Sequence, residues 1–178
     1  MSSNLNQFRE WISMAVSDLK SAITLYRNGL KASVVFHAQQ FAEKICKALL
    51  VIFGEIPVKS HFPSRQLEKI IDDYLLDGKI GSSEKDYLDT IVTLSATLED
   101  EKAKPRYGVF HANKLIKPDD LYSNVEITLF LNDAIVIAKK FIEFLKIKGL
   151  HDEMVDLVGI LEDLIDEFDK IKREESKS

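Results

Sequence analysis

The sequence predicts an all-α fold, an up-and-down helical bundle of about five helices plus an amphipathic C-terminal helix. Apolar residues recur at steps of three and four over most of the 178-residue chain, as they do on one face of a helix. Only 7 glycines and 4 prolines are available for turns. No run of four or more residues alternates as a strand would without fitting a helix better, so no strand is predicted.

Two long helices are predicted first, over residues 7–28 and 32–53. The apolar stripe of the first is formed by Trp11, Ala15, Leu19, Ala22, Ile23 and Tyr26. Gly29 is suited to end this helix, because glycine readily adopts the conformation that follows a helix. The second helix groups Val35, Ala38, Gln39, Ala42, Ile45, Cys46, Leu49 and Leu50. Gly54 ends it, and Pro57 predicts an extended connection.

The middle of the chain predicts two shorter helices and an irregular segment. The third helix covers residues 64–77 and carries Leu67, Ile70, Ile71 and Tyr74. The fourth is capped by Ser82 or Ser83 and ends before Pro105. Residues 106–120 lack a clear period and contain Gly108 and Pro118, which predicts a loop or a broken helix.

The last two predicted helices cover residues 119–148 and 151–172, with Gly149 between them. We therefore divide the chain into a bundle at 1–149 and an acidic amphipathic helix with a polar tail at 150–178, packed on the same domain or at an interface. This last segment holds ten acidic and four basic residues and so carries −6, which leaves +1 of the net charge of −5 on the rest of the chain. The nearly neutral remainder neither excludes nor supports a basic groove for nucleic acid.

The composition predicts a cytoplasmic protein. Residues 1–10 are polar and charged, unlike a signal peptide, and no apolar run reaches the ~18 residues that a membrane helix needs. The single cysteine, Cys46, cannot form an internal disulfide, which fits a reducing compartment. No Cys/His cluster has zinc spacing and no glycine-rich phosphate loop is present, so we expect neither a metal nor a cofactor.

The segment best suited to chemistry is residues 105–111, where four residues separate Arg106 from His111. Arginine offers a planar fork of donors for phosphate oxygens, and histidine moves protons near neutral pH. On a regular helix five positions subtend about 140°, so the two side chains converge only if Pro105 and Gly108 break the helix. From the spacing alone, a structural role is favoured: Arg106 caps the preceding helix and His111 is a loop residue.

Several stretches resemble one family. Residues 11–22 read W-x3-A-x2-D-L-x2-A, and residues 36–50 read FHAQQFAEKICKALL. Gly, Pro and His follow within 54–61, and Arg-Tyr-Gly at 106–108 precedes a long helix. This order resembles HEPN domains, small helical bundles whose second helix typically reads A-x-Q-A-x-E-K-x-x-K-A-L and which often carry Arg-Tyr-Pro. The resemblance spans residues 8–148, and the second helix is its most specific part.

The resemblance implies metal-independent RNA cleavage through an R-x4-6-H motif in a symmetric homodimer, as in toxins of the family. Carried over, Arg106 would bind the scissile phosphate and His111 would act as general base or acid. Two copies of each residue would meet in one cleft, and the products would carry 2′,3′-cyclic phosphates. Active members often have a polar residue directly after the arginine, where this chain has Tyr107. The alternative is therefore a non-catalytic module that binds nucleotide or a small (MNT-type) nucleotidyltransferase partner.

Four further residues are candidates for binding RNA or nucleotide. Tyr107 either stacks on a base or packs in the core. Lys104 either steers phosphate or belongs to a solvated, charge-balanced face. Glu43 and Lys47 are four apart on the second helix, which favours a surface ion pair, although the family resemblance allows a supporting role beside the site. A third hypothesis is a purely structural oligomer assembled through the C-terminal helix.

Overall fold

The computed structural model describes residues 3–177, and its mostly helical structure confirms the predicted all-α bundle. The helices of this range are α1 (Ser3–Arg27), α2 (Lys31–Ile52), α3 (Pro63–Leu76), α4 (Ser82–Glu99), α5 (Lys104–Tyr107), α6 (Asn124–Ile147) and α7 (Val155–Glu175). Two short strands, β1 (Val109–His111) and β2 (Lys114–Ile116), form an antiparallel hairpin. Short 3-10 helices cover Pro118–Leu121 and Asp152–Met154.

The second helix, α2, is the centre of the bundle. Of its 22 residues 15 are buried, which is far more than the single stripe of a surface helix, and it contacts α1, α3, α4 and α6. Ala38 and Ala42 have no exposed surface and keep the neighbouring helices close. Phe41 and Phe141 are also fully buried, and each such side chain contributes about 1.5–3 kcal/mol.

The acidic C-terminal helix, α7, packs on α1 and α6 of the same chain. Phe168 on its apolar stripe is fully buried, and its ring meets that of Tyr26 edge-on with the centroids 5.7 Å apart. Beside this contact, the guanidinium of Arg27 lies 2.7 Å from the carboxylate of Glu167. The stripe of α7 is therefore covered by its own bundle.

The prediction that residues 106–120 form a loop or a broken helix is wrong at the hairpin. Val109 pairs with Ile116, and His111 pairs with Lys114. The turn places Ala112 and Asn113 at φ 46° and 63°, as a tight two-residue hairpin turn requires. Each strand has three residues, too few to show an alternating pattern in the sequence.

The hairpin depends on Gly108, which has φ 71°. A Cβ atom at this position would lie 2.2 Å from the carbonyl oxygen of Ile116, closer than real atoms approach. Only glycine therefore fits where the chain leaves α5 and enters β1.

Two predicted helix boundaries also differ from the structure. The fourth helix stops at Glu99 instead of reaching Pro105, because Lys102 adopts a left-handed conformation at φ 51°. The long helix α6 begins at Asn124 and not near residue 119, because Ser123 caps it in a capping box with Glu126. Within residues 3–177, no helix is both long and apolar enough to cross a membrane.

Candidate functional site

Arg106 lies on the short helix α5, which packs against α2. Pro105 is buried and anchors this turn. The guanidinium carbon of Arg106 lies 5.5 Å from the ring centre of Phe36 on α2 and 5.3 Å from that of Tyr107. These distances allow cation–π attraction, which orients the guanidinium without neutralising it.

Arg106 has no ion pair and does not cap the preceding helix among the residues that the structure describes. The structural role that the spacing favoured, a cap on the carbonyls of α4, is therefore wrong. An exposed guanidinium with free donors can bind a phosphate oxygen.

His111 is the last residue of β1 and is exposed. Its expected position in a loop is wrong, because it pairs in register with Lys114. Its imidazole makes neither a hydrogen bond nor an ion pair with any of residues 3–177. Both of its ring nitrogens are available to a ligand.

A single chain does not bring the two motif residues together in one pocket. The pocket beside Arg106 is lined by residues of α2, of the segment before α3 and of the turn that leads into α5, and His111 is not among them. The turn at Gly108 sends the chain away into the hairpin, whose strands contact mainly each other. The pocket beside Arg106 therefore does not join the two motif residues.

The aromatic residues around the motif are exposed. Tyr107 is 68% exposed and Phe110 76% exposed, and Leu115 on β2 is exposed as well. The core-packing alternative for Tyr107 is therefore wrong, and its ring is free to stack. Apolar groups this exposed are common on surfaces that bind another molecule.

Lys104 is exposed at the start of α5 and lies 3.3 Å from the carboxylate of Glu101. Glu101 also accepts a hydrogen bond of 2.8 Å from the hydroxyl of Tyr122. This pairing leaves Lys104 less available to phosphate than Arg106.

Glu43 and Lys47 form a buried pair, so the surface pair favoured by the sequence is wrong. The two residues are 5% and 9% exposed, and Lys47 Nζ lies 2.7 Å from Glu43 Oε1. The same ammonium lies 5.2 Å from the ring centre of Trp11 on α1. The sequence did not indicate the burial because the helices that cover this face of α2 come from distant parts of the chain.

The Glu43 carboxylate has three donors in all. The other two are His61, through Nδ1 at 3.0 Å, and Gln40, through its amide at 3.2 Å. Burial raises the pKa of Glu43, but the hydrogen bonds from Lys47 and His61 outweigh it and lower the pKa below its usual value. Glu43 is therefore an anion at neutral pH, and we call these four residues the Glu43 cluster.

His61 is a functional candidate that was not predicted from the sequence, where it counts only as the histidine within residues 54–61. Its ring is held against Glu43 and remains 60% exposed on the other side. With Arg106 it lines a pocket of ≈ 180 Å³, together with Gln39, Gln40 and Lys102. No sequence signal links His61 to Arg106, because the contact arises from the packing of α2 against two separate connections.

A second polar group ties α1 to α2. Asp18 accepts a hydrogen bond of 2.9 Å from Nδ1 of His37 and pairs with the ammonium of Lys44. Burial raises the pKa of Asp18, but the bonds from His37 and Lys44 outweigh it, and the pKa is lowered. His37 is therefore a hydrogen-bonded histidine at the contact between α1 and α2.

No group of three or more His, Cys, Asp or Glu side chains is placed to hold a metal ion in the described part of the chain. The thiol of Cys46 is buried, and burial raises its pKa to about 12. The side chains that line the pocket beside Arg106 are two cations, two amides, a histidine, a phenylalanine and an alanine.

The structure is a helical bundle around α2, which buries a few polar side chains among its apolar ones. An arginine and a histidine lie on either side of a glycine turn. Together these features are typical of the HEPN class. The sequence profile of the HEPN domain matches residues 8–150. The chain belongs to the HEPN family, as its second helix indicated.

A relative is found in the archaeon Methanocaldococcus jannaschii, where its name is Putative toxin MJ1304. It is 27% identical over 145 residues, which cover 82% of this chain and 92% of that protein. No solved structure matches this chain significantly.

Proposed function

We propose that this HEPN protein is a metal-independent endoribonuclease that acts as a homodimer through Arg106 and His111. The observation that carries the proposal is the state of these two side chains. Both are exposed on either side of the Gly108 turn, and neither is hydrogen-bonded or ion-paired within residues 3–177. Exposed side chains without an internal partner are free to bind a ligand.

The reaction uses proton transfer by the imidazole of His111 and charge stabilisation by the guanidinium of Arg106. His111 takes the proton of a 2′-hydroxyl, whose oxygen attacks the adjacent phosphorus while the bond to the 5′-oxygen breaks. A second histidine, from the other copy, gives a proton to the leaving 5′-oxygen. Arg106 stabilises the additional negative charge on the phosphate oxygens in the transition state. The products are a 2′,3′-cyclic phosphate and a 5′-hydroxyl.

The homodimer supplies what a single chain lacks. A two-fold axis beside the hairpin brings two copies of each residue into one cleft. The exposed rings of Tyr107 and Phe110 would be partly covered there, which favours association. Tyr107 is also placed to stack on a base next to the scissile phosphate.

The relative named as a toxin supports a toxin-like role for this chain as well. We propose that free expression arrests growth through RNA cleavage. Expression of the wild type should slow the host, and expression of His111→Ala should not. Equal arrest by both chains would contradict cleavage as the cause.

The direct test incubates the pure protein with a mixed RNA pool in EDTA and maps the ends. We expect cleavage that survives chelation and leaves cyclic phosphates, with Arg106→Ala and His111→Ala each losing about 10²-fold or more. Both variants should unfold as the wild type does, since neither side chain has an internal hydrogen bond or ion pair. Undiminished cleavage by both variants would refute the proposed site.

The exposed hairpin favours a second candidate, a non-catalytic partner of a small nucleotidyltransferase. Phe110 and Leu115 are apolar and exposed on a two-residue-turn hairpin that stands apart from the bundle, as a docking element would. Stable co-purification with such an enzyme, lost in Phe110→Ser, together with no cleavage of any RNA, would favour this role. Cleavage by the protein alone would exclude a purely non-catalytic one.

A further inference from the structure

A nearly buried glutamine lines the pocket beside Arg106 and has no hydrogen-bond partner for its side chain in the described chain. Gln39 is only 3% exposed and lines this pocket, yet its side chain makes no hydrogen bond to any of residues 3–177. The buried side-chain polar atom without a partner in the described chain is Ser95 Oγ, so the amide of Gln39 is not sealed in the core and keeps access to the pocket. A glutamine on the wall of this pocket can donate a hydrogen bond to a ligand.

The other polar groups of the pocket are cations or donors. Arg106 and Lys102 both line it, and neither has an ion pair within the described chain. The Glu43 carboxylate, which accepts hydrogen bonds from the pocket residues His61 and Gln40, is paired with Lys47. A pocket with two free cations and a free amide selects an anion.

His61 presents a defined nitrogen to the same pocket. An ionised carboxylate only accepts hydrogen bonds, so the 3.0 Å contact with Glu43 requires that Nδ1 of His61 carry the hydrogen. The free position is then Nε2, on the exposed edge of the ring. With a hydrogen on Nε2 as well, the ring can donate to an anion in the pocket.

The size of the pocket limits what it can hold. Its volume of ≈ 180 Å³ is below the roughly 300–1,000 Å³ of pockets that enclose a whole drug-sized ligand. It suits a phosphate group better than a complete nucleotide. A terminal phosphate fits such a recess because the rest of the ligand leaves it on one side only. An internal phosphodiester would need the nucleic-acid strand to leave the recess in two directions.

We propose that Gln39, His61, Lys102 and Arg106 form a binding site for a phosphate monoester, with the rest of the ligand outside the pocket. The ligand is a free phosphate compound or the phosphorylated end of a nucleic acid. The site goes beyond the proposed cleavage, because it does not include His111 and requires no reaction. It gives Arg106 a ligand within one chain.

The test is isothermal titration calorimetry of the full-length protein in EDTA. The probes are inorganic phosphate, AMP, and 2′-O-methyl trinucleotides with a 5′-phosphate, a 3′-phosphate or neither. None of these probes can be cleaved through a 2′-hydroxyl, so the assay is readable even if the chain is not a ribonuclease. We expect binding of phosphate-bearing probes at least about tenfold tighter than that of the unphosphorylated trinucleotide.

Three variants remove the ligand contacts with little change elsewhere. Gln39→Leu deletes an amide that has no internal bond, Lys102→Asn keeps a residue tolerant of φ 51°, and His61→Asn retains a donor toward Glu43. Each should weaken phosphate binding about tenfold. Lys20→Gln removes one exposed cation from α1 outside the pocket and should bind as the wild type does.

The probes also identify the source of the phosphate. Equal binding of AMP and the phosphorylated trinucleotides would assign a free nucleotide, and tighter binding of one trinucleotide would assign that nucleic-acid end. The proposal is overturned if no phosphate-bearing probe binds, or if the unphosphorylated trinucleotide binds equally well. It is also overturned if folded pocket variants, compared by their melting temperatures, bind as Lys20→Gln does.

Discussion

The Glu43 cluster and the motif region, which comprises α5 and β1, both hold a histidine and a cation, but in opposite states. In the cluster, every named group is bonded: Glu43 accepts from Lys47, His61 and Gln40, and the carboxylate is almost fully buried. In the motif region, Arg106 and His111 are exposed and have no internal hydrogen bond or ion pair within residues 3–177. The difference indicates that the cluster stabilises and orients, while the motif region is left for a ligand.

This contrast predicts opposite results from removing a charge in each region. Removing a side chain of the motif should affect function and change stability little, because exposed groups without an internal hydrogen bond or ion pair contribute little. Removing a member of the cluster should affect stability first. The predictions below begin with the largest expected change in stability.

The largest loss of stability is expected for Lys47→Met, which keeps roughly the volume of the side chain and removes its charge. The buried Glu43 carboxylate then loses its cation, which costs about 3 kcal/mol or more. Urea unfolding would measure the loss. Arg9→Met is the matched control, because the pair between Arg9 and Asp156 is exposed and its loss should change stability much less than the loss of Lys47.

The double variant Glu43→Met/Lys47→Met sharpens this prediction. With both charges gone, no buried ion lacks a partner, and most of the lost stability should return. If the double variant is as unstable as the sum of the two single ones, the pair is not coupled as the structure indicates.

A smaller effect is expected for Gly108→Ala, which disturbs the entry to the hairpin. The left-handed conformation costs an alanine about 1–2 kcal/mol, and its Cβ would also meet the carbonyl oxygen of Ile116. Gly29→Ala is the matched control, since Gly29 has φ 70° and open space around its Cβ position. We expect Gly108→Ala to lose the β1–β2 backbone pairing by NMR and to lose RNA cleavage, and Gly29→Ala to keep both. Equal behaviour of the two variants would mean that the contact with Ile116 has no role.

The smallest effect is expected in acid and concerns Asp18. Its pKa is lowered in the folded state, so the folded chain binds fewer protons there than the unfolded chain. This contribution is present above the unfolded pKa and is lost as the pH falls through the folded pKa, below about pH 4. Glu99 acts in the opposite sense, because burial raises its pKa and acidification favours its folded form.

Asp18→Asn should therefore make stability less dependent on pH. The stability that the wild type gains between about pH 3 and pH 5 should shrink in the variant, as followed by urea unfolding at several pH values. An unchanged pH dependence would show that Asp18 is not held as an ion by His37 and Lys44.

The sequence predicted the helices well and the ligand-binding end of the bundle only in part. Periodic stripes locate α1, α2, α6 and α7 because each helix must bury one face, and Arg106 and His111 were found through residue chemistry and the family motif. The hairpin was missed because three-residue strands carry no period and Ala112-Asn113 is not a strong turn signal. Whether a polar side chain is buried depends on which helices cover it, and local sequence does not contain that information.

The pocket beside Arg106 shows most clearly what local sequence cannot predict. Gln39 and His61 come from α2 and the connection after it, and Lys102 and Arg106 come from the connection after α4. No spacing rule joins these four positions. The fold brings them together because α5 packs on α2.

The central claim, that two copies of the chain share Arg106 and His111 in one cleft, is tested most directly by mixing two inactive variants. Arg106→Ala and His111→Ala proteins are unfolded together, refolded as a mixture, and assayed for RNA cleavage, with heterodimers counted by native mass spectrometry. A heterodimer retains one Arg106 and one His111 on different chains but lacks the second histidine that protonates the leaving oxygen. The account therefore predicts partial recovery, with cleavage above that of either variant alone and below that of the wild type. Heterodimers that form and remain as inactive as their parents would contradict it.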